Sequence, residues 1–408
     1  MNTFVTPTWV AKDVAVNFKN ELKLIGRFDR TWDKQWDSKP GGAKFGYTVQ
    51  ARIQQRWVVN EGQALITQPI LNQTVPISIN HQLQVGMEWS SADDSLVVED
   101  VQSRYTSPAG RALAGKADVI AGAEVFKSVY FSIGAPGVPI TDDATYTDGI
   151  AKLRNVGVPQ DLVVVMDPKS QSRLLAANFA LFNPQAQISK YFKSGQFSGP
   201  ALGADEWDWD PNMPTFTTGT FTTATPVVSG AGQTGSTLAL AGMGTYAMKA
   251  GDVFRIDNVN AVNPTTYADT GDLQDFTLVS DLAGTTTGTF TISPPIITSG
   301  ALQTVTASPA NSAAVNWLGS TGTVSATMAA TKSKQSLMFN PAAFAVVMAH
   351  LSKDLPGAKA TAVNDADAAI AIRMAEQWNI QTDQKSTRLD MLMGVAPVLP
   401  SFALRIWS

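Results

Sequence analysis

The sequence predicts an α+β protein, and three observations carry that expectation. Over residues 44–89 apolar side chains fall on alternate positions. Over 107–132 they recur at helical spacing. Two stretches, 211–248 and 282–331, contain no charged residue and are rich in Thr, Gly, Ser and Val. Period two marks half-buried strands, and a period near 3.6 marks an amphipathic helix. The uncharged stretches read as a small all-β barrel or sandwich, inserted into an α/β region that resumes after them.

Residues 1–40 read as an N-terminal arm. Val10, Val14, Phe18, Leu22 and Ile25 place an amphipathic helix over 9–25. Residues 41–90 read as an extended β-hairpin loop. Its first arm carries Phe45, Tyr47, Val49, Ala51, Ile53, Trp57 and Val59 on one face. Its second carries Val75, Ile77, Ile79, Leu83, Val85, Met87 and Trp89. At roughly 3.3 Å per residue each arm extends about 50 Å, far beyond an ordinary strand. The middle, 60–74, contains Gly62 and Pro69 and reads as a polar loop. A compact domain has little use for such a ribbon; a subunit that reaches across a neighbour does.

Residues 91–137 hold the long helix. Ser107-Pro108 is a good start, a capping side chain followed by a ring that already holds helical φ. About 24 residues of helix are expected before Gly134 and Pro136 stop it. Residues 138–214 read as α/β: a helix over 142–156, a buried strand at 161–166, and a second helix started by Asp167-Pro168. The inserted barrel is placed at 215–300 and the closing segments at 301–408. Within the latter, 334–339 reads as a strand, Asn340-Pro341 as the start of a helix running through Phe344, Val347 and Leu351, and 367–382 and 388–407 as long strands.

Composition narrows the function. Charged residues make up 16% of the 408, which suits either a protein that buries much of its exterior in partners or an ordinary Thr/Gly-rich β protein. The net charge of −4 argues against a basic nucleic-acid binder. The absence of cysteine removes disulfides, thiolate metal sites and cysteine nucleophiles. The N-terminus lacks the pattern of a signal peptide, and no apolar run reaches the ~18 residues of a membrane span.

No catalytic, cofactor or metal site is expected. His81 and His350 read as packing and capping residues. Gly230-x-Gly232-x-x-Gly235 has dinucleotide-binding spacing but precedes a strand rather than a helix, so it reads as a turn. Asp205, Glu206, Asp208 and Asp210 are the best metal candidates, weighed against a solvated strand edge. With the neighbouring Trp residues they also leave open a carbohydrate-active protein. Asp93, Asp94, Glu99 and Asp100 read as caps before the long helix.

The order of these elements resembles the major capsid proteins of tailed double-stranded-DNA phages, with the Hong Kong 97-type (Johnson) fold. More narrowly it resembles podovirus coat proteins that carry an inserted β-barrel. Met248-Lys-Ala-Gly-Asp-Val-Phe-Arg-Ile256 is similar to a barrel strand after a Lys-x-Gly-Asp turn, and Thr289-Phe-Thr-Ile-Ser-Pro-Pro-Ile296 to the closing strand. Ser336-Leu-Met-Phe-Asn-Pro-Ala-Ala-Phe344 and Thr387-Arg-Leu-Asp-Met-Leu-Met-Gly394 resemble the family's later segments. The resemblance implies an N-arm, an extended loop, a spine helix in a peripheral domain, an axial domain and an insertion domain. It implies a noncovalent icosahedral shell of pentamers and hexamers, a scaffolding protein, a portal protein, and packaged double-stranded DNA held without sequence specificity. It places the chain in the virion, assembled in the host cytoplasm, with no membrane. In the family a charged barrel loop contacts a neighbouring capsomer. The equivalent here, 229–236, is uncharged, which leaves two alternatives: the loop at 257–275 substitutes for it, or the contact is absent. An encapsulin-like nanocompartment of the same fold is the nearest alternative. The expected inter-subunit face comprises Tyr47, Val49, Arg52, Ile53, Arg56, Val75, Ile77 and Ile79.

Overall fold

A computed structural model describes residues 7–33, 48–63, 65–90, 105, 107–178, 200–321, 326–349, 351–352, 355–365 and 370–408. The described residues gather into two compact units. One is drawn from Met1–Ala51, Thr74–Ala121 and Phe344–Val398. The other is drawn from Arg52–Gln73, Gly122–Ala343 and Leu399–Ser408.

The first unit is built on the strand Gln384–Pro397. Ile370–Asn379 pairs antiparallel with its first half, Phe344–Ala349 with its second, and His81–Ser90 with residues 384–393; Lys359–Asp365 completes the order. Helix α1, Pro7–Glu21, packs on this sheet through its apolar stripe: Val14 and Phe18 are fully buried. Helix α2, Ser107–Val125, starts at the expected Ser-Pro. It meets α1 closely at Gly110, where a Cβ would lie 3.0 Å from the Asn17 Cβ and 3.1 Å from the Val14 carbonyl. Asp118 of α2 is buried and accepts the backbone N–H of Lys23 (3.0 Å) and Ile25 (2.9 Å), fixing the path of the chain after α1. In the sheet, buried Asp390 is paired by Arg373 (2.6 Å) and Arg388 (2.5 Å).

The second unit holds an α/β body and a barrel-like insertion. The body's sheet runs Phe131–Ile133, Ala403–Trp407, Lys332–Phe339, Val163–Met166, Glu206–Trp209. Its first and last pairs are parallel, as strands connected through other elements require. Helix α3, Asp143–Asn155, begins at Asp142, which accepts the Thr145 N–H at 3.0 Å. Helix α4, Pro168–Asn178, is capped by Asp167, which accepts from the N–H of Lys169 and Ser170. Tyr146, Leu153, Val164, Leu174, Trp207 and Leu404 share the core beneath these helices.

The insertion has two sheets around one apolar core. The larger runs Val315–Trp317, Val253–Val262, Asp269–Leu278, Gly288–Ile296, Gly235–Ala241, Val227–Val228. The smaller runs Leu282–Thr285, Thr245–Met248, Thr220–Ala224, Ala326–Met328. Its strands therefore continue past residue 300. The apolar strand residues of the uncharged 282–331 stretch, Phe290, Ile292, Val315 and Trp317 among them, are part of the core, with Phe254 and Phe276 stacked at its centre. The Gly230–Gly235 spacing is a turn before a strand, with all three of its glycines at positive φ.

Three expectations are corrected. The segment after Asn340-Pro341 makes only one 3-10 turn, Pro341–Ala343, and then the strand Phe344–Ala349. Asn340 does cap that turn, accepting the Ala342 N–H. A buried Phe-Ala-Val-Val-Met run then favours pairing with residues 392–397 over helix. Helix α2 ends at Val125, short of 132. A 3-10 turn follows, and Phe131–Ile133 joins the α/β sheet instead. The second ribbon arm is two strands, Thr74–Ser78 and His81–Ser90; the longer one pairs with 384–393 rather than with the first arm. His81 lies within that strand opposite Met393, while His350 and the acids at 93–100 fall outside the described residues.

Candidate assembly surface

Among the described residues of the expected ribbon, the base alone is a ladder between its two arms. Thr48–Arg52 pairs with Thr74–Ser78, and Ile53 N–H donates to the Gln73 carbonyl at 3.0 Å. Beyond that point two glutamine amides tie the arms together. Gln55 Nε2 donates to the Pro69 carbonyl (2.9 Å) while its Oε1 accepts the Leu71 N–H (3.0 Å). Gln68 reciprocates from the other arm, its Oε1 accepting the Val58 N–H (3.0 Å) and its Nε2 donating to the Val58 carbonyl (2.5 Å). A primary amide offers donor and acceptor side by side, as a backbone pair does. Pro69 has no N–H to give, and the Gln55 side chain bridges that gap.

What this tie holds out is apolar. Val59 and Leu65 are each 89% exposed, Ile70 76% and Ile66 60%; Trp57 and Leu71 are exposed too. Six large exposed apolar side chains on one short segment are more than the isolated exposed aliphatics of an ordinary surface. The segment was expected to be polar. Its Leu65-Ile66 and Ile70-Leu71 pairs were the available signal, hidden by the turn residues between them.

The expected face divides. Val49, Ile77 and Ile79 are buried in the chain itself, Ile77 completely; Ile53, Val75 and Arg56 are half-buried and Arg52 is exposed. Tyr47 falls outside the described residues. Arg56 acts electrostatically on Tyr130 of the α/β body. Burial pushes the Tyr130 phenol up to about 12, and the Arg56 charge works against that rise. The Val49, Ile77 and Ile79 face therefore packs inward in the chain, and the exposed apolar side chains lie nearer the loop tip.

Three of the four acids in the cluster accept backbone N–H groups, Asp208 from Trp209 among them. Asp205 accepts the Leu162 N–H, Asp210 the Asn212 N–H, and Trp207 is buried with its Nε1 donating to the Ala201 carbonyl. Among the described residues no group of three His, Asp or Glu side chains is placed to hold a metal, and no described helix is long and apolar enough to cross a membrane.

The family model described as "P22 coat protein - gene protein 5" matches residues 66–403. Among solved structures the chain is similar to one from Mycobacterium phage Che8, with 12% identity and a TM-score of 0.43 over 93% of this chain and 89% of that one. It is similar to the capsid of Cyanophage P-SCSP1u, with 12% identity and a TM-score of 0.41 over 89% and 84%. The CUS-3 coat protein I-domain aligns at 26% identity and a TM-score of 0.18, over 24% of this chain and 96% of that domain. No curated protein matches the sequence.

Proposed function

We propose, from the premise that this chain belongs to the P22 coat protein family, that the loop over 52–73 is the element by which one subunit engages the next. The chain is a phage major capsid protein, a structural component that forms the head, with the capsid fold of that family and a barrel-like insertion. The single observation that carries the loop's role is its exposed apolar tip, Val59, Leu65, Ile66 and Ile70, held out from the body by side-chain amides. Such a surface gains by burial at about 25 cal/mol per Å² of apolar area. In a closed shell many modest contacts of this kind sum to a stable particle.

In the same reading the shell is icosahedral, made of pentamers and hexamers, and its function is assembly rather than turnover. A scaffolding protein directs assembly in the host cytoplasm, a portal protein occupies one vertex, and double-stranded DNA is enclosed without sequence readout. The negative net charge supports containment over tight phosphate binding. The arm at 1–40, the loop at 41–90, the peripheral segment at 91–137 and the axial segments at 138–214 and 301–408 are the parts we assign. Arg52 is exposed and available to a neighbour's carboxylates, at about 0–1 kcal/mol for an exposed pair.

The test is the double variant Leu65→Asp, Ile66→Asp. It is expected to melt within a degree or two of wild type and to form no closed shells by negative-stain microscopy. Ile77→Asp, in the buried face, is expected instead to lower the melting temperature of the free subunit. Normal shells from the tip variant would overturn the loop's role.

A further inference from the structure

The inserted barrel meets the 52–73 loop at the Tyr267 side chain. The Tyr267 hydroxyl lies 3.4 Å from the Trp57 carbonyl and 3.3 Å from the Ala301 carbonyl, so its one proton is shared between the loop and the barrel's own edge. Tyr267 sits at φ 58°, a left-handed backbone that a bulky residue rarely adopts. Strain of this kind persists only where the surroundings hold it, and here they do. Asn263 Oδ1 accepts the N–H of Thr265 (2.9 Å) and Thr266 (3.3 Å). The Tyr267 N–H donates to the Asn263 carbonyl at 2.8 Å, and the Asn263 N–H to the Ala268 carbonyl at 3.0 Å. The Asn263 amide then anchors the whole turn to the end of α3 by donating to the Asn155 carbonyl at 2.8 Å.

The acceptor is informative. Trp57 C=O and Val58 N–H belong to one peptide unit. Gln68 of the opposite arm grips its N–H, and Tyr267 of the barrel meets its carbonyl. Beyond this unit the exposed tip begins with Val59. We propose that Tyr267 is a positioning residue, through which the inserted barrel sets the pose of the loop in the free subunit and presents its aliphatic tip before a neighbour arrives. A loop already ordered loses less conformational freedom on docking, so assembly is faster without any new contact at the interface. The inference rests on the assembly role of the loop.

Tyr267→Phe keeps the ring and removes the hydroxyl; Tyr267→Gly also relieves the backbone strain. Hydrogen exchange of the free full-length subunit is expected to show severalfold faster exchange at residues 57–60 in both variants, with the barrel's strand amides unchanged. Light scattering is expected to show severalfold slower assembly into shells of normal form. Unchanged exchange at 57–60 in both variants overturns the proposal, as does faster exchange with an unaltered assembly rate. Leu65→Asp, Ile66→Asp separates the premises. If that variant assembles normally the loop's role fails; if it does not, while Tyr267→Phe matches wild type in both readouts, only the brace fails.

Discussion

Asp252 shows how one buried group sets a pH dependence. Its carboxylate accepts the backbone N–H of Lys249 (2.7 Å) and Gly219 (3.0 Å) with no exposed surface. Burial raises its pKa to about 6, although those bonds and the Arg405 charge oppose the rise. The folded state therefore holds this proton more tightly than the unfolded chain. The stability Asp252 contributes is full below about pH 4 and is lost as pH rises through 6. Asp252→Asn should therefore gain about 3 kcal/mol relative to wild type between pH 4 and pH 7. Urea denaturation at the two pH values measures this, and a pH-independent difference contradicts it. Arg405 is the counterpart. It is wholly buried and stacked at 4.6 Å on Trp407, and it donates to the Gly251 carbonyl at 2.7 Å. Burial draws its pKa down to about 9, which leaves it charged at neutral pH.

At the scale of the element, the loop is held by side chains where a strand pair would use backbone. Gln68→Ala removes two hydrogen bonds and Gln55→Ala two more, each worth about 1 kcal/mol. Neither glutamine lies in a core, so the melting temperature should hold while exchange within 53–73 accelerates. A large drop in melting temperature would mean that the loop is part of the folding unit rather than an appendage to it. The sequence signal in this region was half legible. The alternation at Val49, Ala51, Val75 and Ile77 correctly marked a ladder. Pro69 and Gly62 concealed that the segment between stays apolar. Period two also continued through Leu83, Val85 and Met87, yet those residues pair with a strand some 300 positions later.

Across the second unit, Asp275 links the insertion to the body that carries it. It is fully buried on a barrel strand and pairs with Lys152 of α3 at 2.5 Å, with Arg255 of the adjacent barrel strand, and with the Ser132 N–H at 3.0 Å. Removing one partner of a buried ion pair strands the others, typically at about 3–5 kcal/mol. Asp275→Ala should destabilise the subunit by that order, read as a lower urea midpoint, because Lys152 and Arg255 would then face each other across the joint. Replacing the exposed acid Asp281, which pairs with Lys249 at 3.1 Å, should change the midpoint little. A barrel sharing a buried charge with its host is a joined part of the molecule rather than a tethered appendage.

The sequence by itself determined the α+β class, the helix starts at Ser107-Pro108, Asp142 and Asp167-Pro168, and the existence of an uncharged β insertion. These are local properties, set by side-chain period, capping chemistry and composition. Only the tertiary structure decided which strands pair, since antiparallel register joins residues with no sequence relation to each other. It turned Phe344–Ala349 from helix to strand because a buried edge was waiting for it. It buried Val49 and Ile77 and left Val59, Leu65, Ile66 and Ile70 exposed. An alternating pattern tells which side chains share a face; what covers that face depends on the rest of the chain.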